Sequence, residues 1–557
     1  MRNVKLQSLT VLLAVVISTA GCDEMSNLTD INENPNAPTS LAPTFVLPSL
    51  VRGLANELVG ENNIDLPSAS LFVQHNARIQ YAGTDRYDLG TDYGSGYWGS
   101  YYSLSGDPPN GVFVLATHLL ESALALNPAD PNKVAVARIL KAYAAHNLTD
   151  MYGDVPYTKA VQGAAETPNI RPKYDTQQSI YANLFSELAA ATSSITSGSG
   201  YTSGDLVFGG DMAKWKAFGN SLRLRLALRL SEVDPATAQS EAAAAVAAGV
   251  MTSTAQSAAL NYSSAAPDQN PMWVGFVERP GDYRPGKFFV DEMVRRDDPR
   301  VRFHADLTAD YLSGKTAVKH RGMPNGYADD RAFDEETPPS RDFDYVSQVG
   351  AWHLNPGAPA FFMEYAEVAL LQAEAAERGW ISGSAQTFYE AGIDASFDVY
   401  KDGCAADCGA FVTPAVAAIT TAERDAYKAH ALVKYGGGGE GGTETNLSLI
   451  QRQYWFTLWD QGLEAFNKYR RTNVPVLTPG PDAFNNCVPL RWPYPRSELT
   501  FNQSSVQAAI ANNGGENAWD ERVWWDASGQ ATGVATSTSS GIKSAGTGAP
   551  GGVACAL

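Results

Sequence analysis

An all-α fold is what this sequence predicts, and three observations predict it. Apolar residues recur at steps of three and four over long stretches. One stretch reads as a helix, a glycine stop and a second helix. Runs that alternate apolar and polar residues, the mark of half-buried strands, are scarce beside these.

In chain order, the first helical stripe is Leu140, Tyr143, Ala144, Leu148 and Met151. A second is Trp215, Phe218, Leu222, Leu226 and Leu230, with Arg225 and Arg229 sharing another face of the same helix. Between Met363 and Phe397 a helix carrying Val368, Leu371 and Ala375 stops near Gly379, and another begins after Gly383-Ser384. Ala373, Ala385, Tyr389 and Gly392 follow the small, small, aromatic, small spacing of a tetratricopeptide hairpin, in which small residues let two helices approach closely. Any antiparallel helix pair needs small residues at its crossing, so one hairpin does not by itself establish an array. The last stripe, Ile450, Tyr454 and Leu458 with Trp455, Trp459 and Phe466, reads as core for the same reason of spacing.

The ends differ from this body. Arg2 and Lys5, the apolar run Val11 to Ile17 and then Ser18-Thr19-Ala20-Gly21-Cys22 read as a secretion signal over residues 1–21. Its apolar stretch is shorter than the roughly 20 residues that span a bilayer, so no transmembrane segment is expected. The small-small-Gly-Cys ending resembles the bacterial lipobox, with Thr19 where Leu is usual, and makes Cys22 the expected lipidation site. Residues 22–43 are polar and Pro-rich, a tether. Asp30, Asn32 and Asn34 open like a calcium loop, but Pro35 stands where Gly is required and Leu41 where the closing Glu should be. The expected helical domain covers 44–526, and 527–557, rich in Gly, Ser, Thr and Ala, reads as a low-complexity tail.

Composition excludes several functions. With 557 residues, 44% hydrophobic and 18% charged, the chain can bury a sizeable core. A formal net charge of −19 argues against gripping nucleic acid, which needs clustered Lys and Arg. The seven histidines show no H-E-x-x-H or other metal-ligand spacing, so no metal is expected. Glu364, Glu367, Glu374 and Glu377 lie along one helix, where acids are usually a solvated face or salt-bridge partners rather than a hydrolase pair. Gly436 to Gly442 lacks the Lys-Ser/Thr of a phosphate loop. An oxidising compartment allows a local Cys404–Cys408 disulfide loop, but Cys404, Cys408, Cys487 and Cys555 allow three pairings and the sequence does not choose among them.

Glu364-Tyr365-Ala366-Glu367-Val368-Ala369-Leu370-Leu371-Gln372-Ala373-Glu374-Ala375, followed by Gly379-Trp380, resembles the signature helix of the SusD/RagB family. Asp298-Pro299-Arg300, Arg470-Arg471-Thr472, Arg491-Trp492-Pro493-Tyr494-Pro495 leading to Glu498 and Asn502, and Trp524-Trp525-Asp526 are similar to that family in matching order. The resemblance implies tetratricopeptide-like hairpins with a large loop-rich ligand-binding face, no enzymatic activity and no cofactor. It implies a lipid-anchored protein of the outer membrane, facing the cell surface, that hands a glycan or oligosaccharide to a SusC-like TonB-dependent barrel. A peptide-capturing lipoprotein of the same fold is the alternative, and a secreted glycoside hydrolase a more distant one.

Glycan sites combine aromatic platforms, for stacking on C–H faces, with amides, carboxylates or Arg for the hydroxyls. The stretch Tyr93 to Tyr102, read as a glycine-rich loop, therefore supplies the first candidates: Tyr97, Trp98, Tyr101 and Tyr102. Trp273, Tyr283 and Trp352 are further aromatics read as loop residues, with Asn76, Arg78 and Arg86 as polar contacts. Taken singly, any Trp or Tyr is more often core.

Overall fold

The computed structural model describes residues 42–60, 65–90, 92–103, 111–162, 170–198, 200–279, 281–328, 343–404, 415–484 and 488–527. The secretion signal, Cys22, nearly all of the tether and of the tail, and Cys408, Cys487 and Cys555 lie outside them. Cys404 is disulfide-bonded.

Helices dominate the unit that begins at Thr44. In chain order the main ones are α1 (Pro43–Val59), α2 (Ser95–Tyr102), α3 (Val112–Leu124), α4 (Pro131–Tyr152), α5 (Gln177–Ser194), α6 (Met212–Arg229), α7 (Pro235–Ala248) and α8 (Pro271–Glu278). Then come α9 (Lys287–Val294), α10 (Tyr365–Glu377), α11 (Ala385–Asp398), α12 (Thr421–Ala429), α13 (Asn446–Thr457), α14 (Gly462–Thr472) and α15 (Gln503–Asn512). The described strands are short: β1 (Asn76–Arg78), β2 (Val155–Pro156), β3 (Tyr174–Asp175), β4 (Ala258–Leu260), β5 (Tyr283–Pro285) and β6 (Ala360–Met363), paired as β1–β5, β2–β3 and β4–β6.

Local chemistry sets the helix ends. Asp130, Asp211 and Asp234 each cap a helix by accepting backbone N–H groups of its first turn, and Pro131 and Pro235 occupy first-turn positions where the missing N–H costs nothing. α10 ends before Gly379 at φ +73°, and Ser384 caps α11, so the predicted hairpin forms where its sequence signals stand. Successive helices α3 to α7 pack side by side, α10 pairs with α11, and α10 also meets α6 and α13. This is the expected tetratricopeptide-like arrangement. Small residues carry its tightest approaches: a Cβ at Gly392 would lie 2.6 Å from Leu370 Cγ, and one at Gly219 would lie 2.6 Å from Thr192 Cγ2 and 2.9 Å from Ile139 Cδ1. Gly219 thus sits where α4, α5 and α6 converge. Gly219→Val is expected to lower stability by about 1–3 kcal/mol through overpacking, read as a lower urea midpoint at unchanged slope.

The aromatic helix of the sequence reading is two helices. α13 and α14 are separated at Leu458 to Gln461, yet Tyr454, Trp455, Trp459 and Phe466 are all buried, as their spacing required. The acids of α10 are not a solvated face. Glu367 and Glu374 are sealed inside as partners of Arg225 and Arg471, with Glu367 held by two 2.6 Å contacts to Arg225. Arg225 and Arg229 point inward as well, because the partners they need lie on α10 and α14.

Beside them Asp150 collects the Tyr181 hydroxyl at 2.6 Å, Trp525 Nε1 at 2.7 Å and Asn467 Nδ2 at 3.2 Å, while Arg470 donates to its carbonyl. The Arg470-Arg471 and Trp524-Trp525-Asp526 motifs therefore fasten the end of the domain to its helical core. Burial alone would push the Glu374 carboxyl up, but the guanidinium groups of Arg471 and Arg378 outweigh it and hold it at about 2. A depressed carboxyl stabilises the fold above its unfolded pKa, and that contribution is lost as pH falls through the folded value. Glu374→Gln is therefore expected to cost about 3 kcal/mol at neutral pH and to flatten the decline of stability between about pH 4.5 and 2, measured by urea unfolding across that range.

Candidate functional site

Four chain segments interlock at one loop-rich region, and backbone geometry explains why. β1 pairs with β5 in the register Asn76↔Pro285, Ala77↔Arg284 and Arg78↔Tyr283. The 321–328 segment joins through Met323, which accepts from Lys287 N–H and donates to the Pro285 carbonyl. The fourth segment, 478–484, enters where Asp482 N–H donates to the Gly326 carbonyl at 2.9 Å. Gly326, at φ +74°, and Gly480 allow this crossing, since a Cβ on Gly480 would stand 2.0 Å from the Asn325 carbonyl oxygen.

A buried carboxylate ties the segments together. Asp85 accepts from Asn325 Nδ2 and from the Gly326 N–H, both at 2.7 Å, and the same Asn325 amide donates to the Asn76 carbonyl at 2.8 Å. Burial pushes the Asp85 carboxyl up to about 7 against these donors. Below lies a small separate core of Ala77, Ile79, Met323, Tyr327, Tyr345 and Val346.

The surface of this region carries an aromatic and three guanidinium groups. Tyr81 is 68% exposed and holds φ +57°, a backbone setting uncommon for a bulky residue. Arg78 lies between two rings, its Cζ 5.0 Å from the Tyr283 centroid and 5.7 Å from that of Tyr81. Arg86 packs over Phe484 at 4.7 Å and donates to the Asp482 carbonyl, and Arg321 covers Tyr345 at 4.0 Å. The rings hold the cations in fixed orientation, with donors for hydroxyl or carboxylate oxygens.

Of the residues singled out from sequence, Asn76, Arg78, Arg86 and Tyr283 come together here. Asn76 and Tyr283 are buried, so Asn76 contributes its backbone and Tyr283 the floor beneath Arg78. Trp273 belongs to helix α8 rather than a loop and is half-buried. Trp352 is half-buried too, its ring 4.9 Å from His353 and 5.0 Å from Tyr400.

The loop reading of 93–102 requires correction. Residues 95–102 form helix α2, and Tyr97, Trp98 and Tyr101 are buried in the main core. Trp98, 7% exposed, is ringed by Tyr102, Tyr152, Tyr174 and Tyr494 at centroid distances of 4.8 to 6.2 Å, and Tyr102 donates its hydroxyl to the Pro156 carbonyl. The glycines there do not present rings to solvent. Gly94 instead admits Trp492, whose Cβ lies 3.3 Å from where a Gly94 Cβ would be. These four residues are packing, not an open platform. Tyr81, three residues beyond Arg78 and just before Ala82-Gly83, is the exposed ring that sequence reasoning missed.

Among the described residues no group of three or more His, Cys, Asp or Glu could hold a metal ion, and no helix is long and apolar enough to cross a membrane.

A family model described as SusD-like, starch-binding and associating with the outer membrane, matches residues 35–495. Among solved structures, a chitin-binding protein is 28% identical, with a TM-score of 0.72 over 87% of this chain and 100% of its own. A Bacteroidetes SusD-like protein is 25% identical, with a TM-score of 0.67 over 87% and 100%. A chitin-binding SusD homologue from Flavobacterium johnsoniae, 23% identical over 87% and 97%, shares the fold with a TM-score of 0.62. No curated protein matches.

Proposed function

We infer a capture function from one premise: this chain belongs to the SusD-like family, whose description is starch-binding and associating with the outer membrane. The protein holds a glycan or oligosaccharide at the cell surface, anchored by lipid at Cys22, and passes it to a SusC-like TonB-dependent barrel. It transforms nothing. Glycan is favoured over peptide because solved relatives are described as chitin-binding and because an exposed ring beside fixed donors suits a sugar's C–H face and hydroxyls. The observation that carries this reading is Tyr81, exposed and set against Arg78.

Affinity electrophoresis of the mature protein through gels containing soluble starch, glycol chitin or other polysaccharides tests it. The protein is expected to be retarded in at least one gel, and Tyr81→Ala to weaken that retention roughly tenfold, the equivalent of about 1.4 kcal/mol. Equal mobility in every gel counts against glycan capture. Retention abolished by added salt, or by a peptide competitor, points instead to carboxylate recognition by Arg78, Arg86 and Arg321. Release of reducing sugar would identify a hydrolase.

A further inference from the structure

Arg78 differs from the arginines of the core. Arg225, Arg229 and Arg471 each grip a buried carboxylate, and Arg302, nearer the surface, holds Glu423 at 2.6 Å. Arg78 forms no ion pair and no side-chain hydrogen bond among the described residues; it is held between the Tyr81 and Tyr283 rings instead. Its Nε is sealed without a partner, whereas neither Nη is sealed or bonded, so their N–H donors remain as an open planar fork. Arg86 is similar: Nε donates to the Asp482 carbonyl at 2.9 Å, and neither Nη is sealed or bonded among the described residues.

Neighbouring acids do not answer these charges. Asp85 is buried and spends its carboxylate on Asn325 and on the Gly326 N–H. Asp482 is buried too, with Oδ2 on the Ala328 N–H at 3.0 Å, and exposed Asp88 pairs with neither arginine.

We propose that the glycan taken at Tyr81 is acidic, a polymer containing uronic acid, whose carboxylate pairs with Arg78 while the sugar ring lies against Tyr81. The inference rests on the capture reading and names its substrate class. A uronic acid meets both demands in one residue: a C–H face for the aromatic ring and, on the edge of the same pyranose, a planar carboxylate that matches the guanidinium fork. Arg78 Cζ is 5.7 Å from the Tyr81 centroid, a span that one pyranose covers. A neutral sugar offers the fork only hydroxyl oxygens, which are weaker partners than a charged acceptor. Carboxylate recognition by these arginines then needs no peptide. The chain as a whole carries a formal charge of −19 and repels a polyanion at long range, so binding of an acidic glycan reports a local site rather than diffuse attraction.

Isothermal titration at pH 7 and low salt compares oligosaccharides of polygalacturonate, alginate and hyaluronate with their methyl esters, in which the sugar is kept and the charge is capped. At least one acid is expected to bind at least roughly tenfold tighter than its ester. Arg78→Gln is expected to bring the two affinities level, and Arg78→Lys, which keeps the charge over the rings but not the fork, to leave a smaller preference. Tyr81→Ala is expected to weaken acid and ester alike, and added salt to weaken the acid while sparing the ester. Equal affinity within every pair, no binding of any acid, or an Arg78→Gln protein that still prefers the acid would each overturn the proposal. Failure of the capture reading looks different. Retention in a starch or chitin gel alongside any of those results leaves capture standing, and only an absence of binding to every glycan, neutral or acidic, removes both.

Discussion

Trp98→Ala is expected to lower the unfolding free energy by about 3–5 kcal/mol, and Trp98→Phe, which keeps the fold, is expected to leave polysaccharide retention unchanged. Trp98 fills a space enclosed by Tyr102 on its own helix and by three tyrosines from other parts of the chain, among them Tyr152 at 5.0 Å and nearly edge-on, so truncation leaves a cavity that rigid rings do not collapse into. The loss approaches the lower end of a typical domain's total stability, so Trp98→Ala will have a markedly lower melting temperature. A stable Trp98→Ala protein with lost retention would reverse the assignment and return the site to α2.

The second large effect lies in the buried charges. Arg225→Met is expected to destabilise by about 3–5 kcal/mol, because it strands the Glu367 carboxylate, which Arg225 holds through two hydrogen bonds, in a sealed interior. Removing both charges, as Arg225→Met with Glu367→Leu, is expected to recover much of that loss, since two apolar side chains need no solvation. Tyr454, whose hydroxyl lies 2.9 Å from both Glu367 and Glu464, then keeps the Glu464 partner alone. Urea unfolding of the single and double variants measures the coupling directly, and additive losses would mean that the pair does not act as a unit.

Helices were legible in the sequence because their signals are local. Three-and-four spacing, the Gly379 stop and the restart after Gly383-Ser384 each act within a few residues, and α4, α6, α10 and α11 form where those signals stand. What Arg225 and Arg229 do was not legible, since Glu367 is 142 residues from Arg225 and Glu464 is 235 from Arg229. Both arginines read as a separate face, and a buried cation looks like a solvated one until its partner arrives.

The candidate site was half legible. Asn76, Arg78 and Arg86 cluster in sequence and stay together, and Tyr283 reaches them only through the β1–β5 pairing, a register of three residues too short to announce itself. The glycines of 94–99 misled, because glycine serves close packing as readily as it serves open loops. Tyr97 and Tyr101 are four apart with Trp98 beside them, a helical spacing that outweighs the glycines once it is counted. Tyr81 carries no periodicity at all, and its exposure and its positive φ are both revealed only by the folded chain.

Hydrogen–deuterium exchange, measured with and without the polysaccharide that retards the protein most, tests the capture site most directly. Protection is expected at 76–88, 321–328 and 478–484, the segments that surround Tyr81 and Arg78, and little change in α2. Protection centred on 95–102, or on the packed faces of α3 to α7 with the Tyr81 region unaltered, would contradict the account.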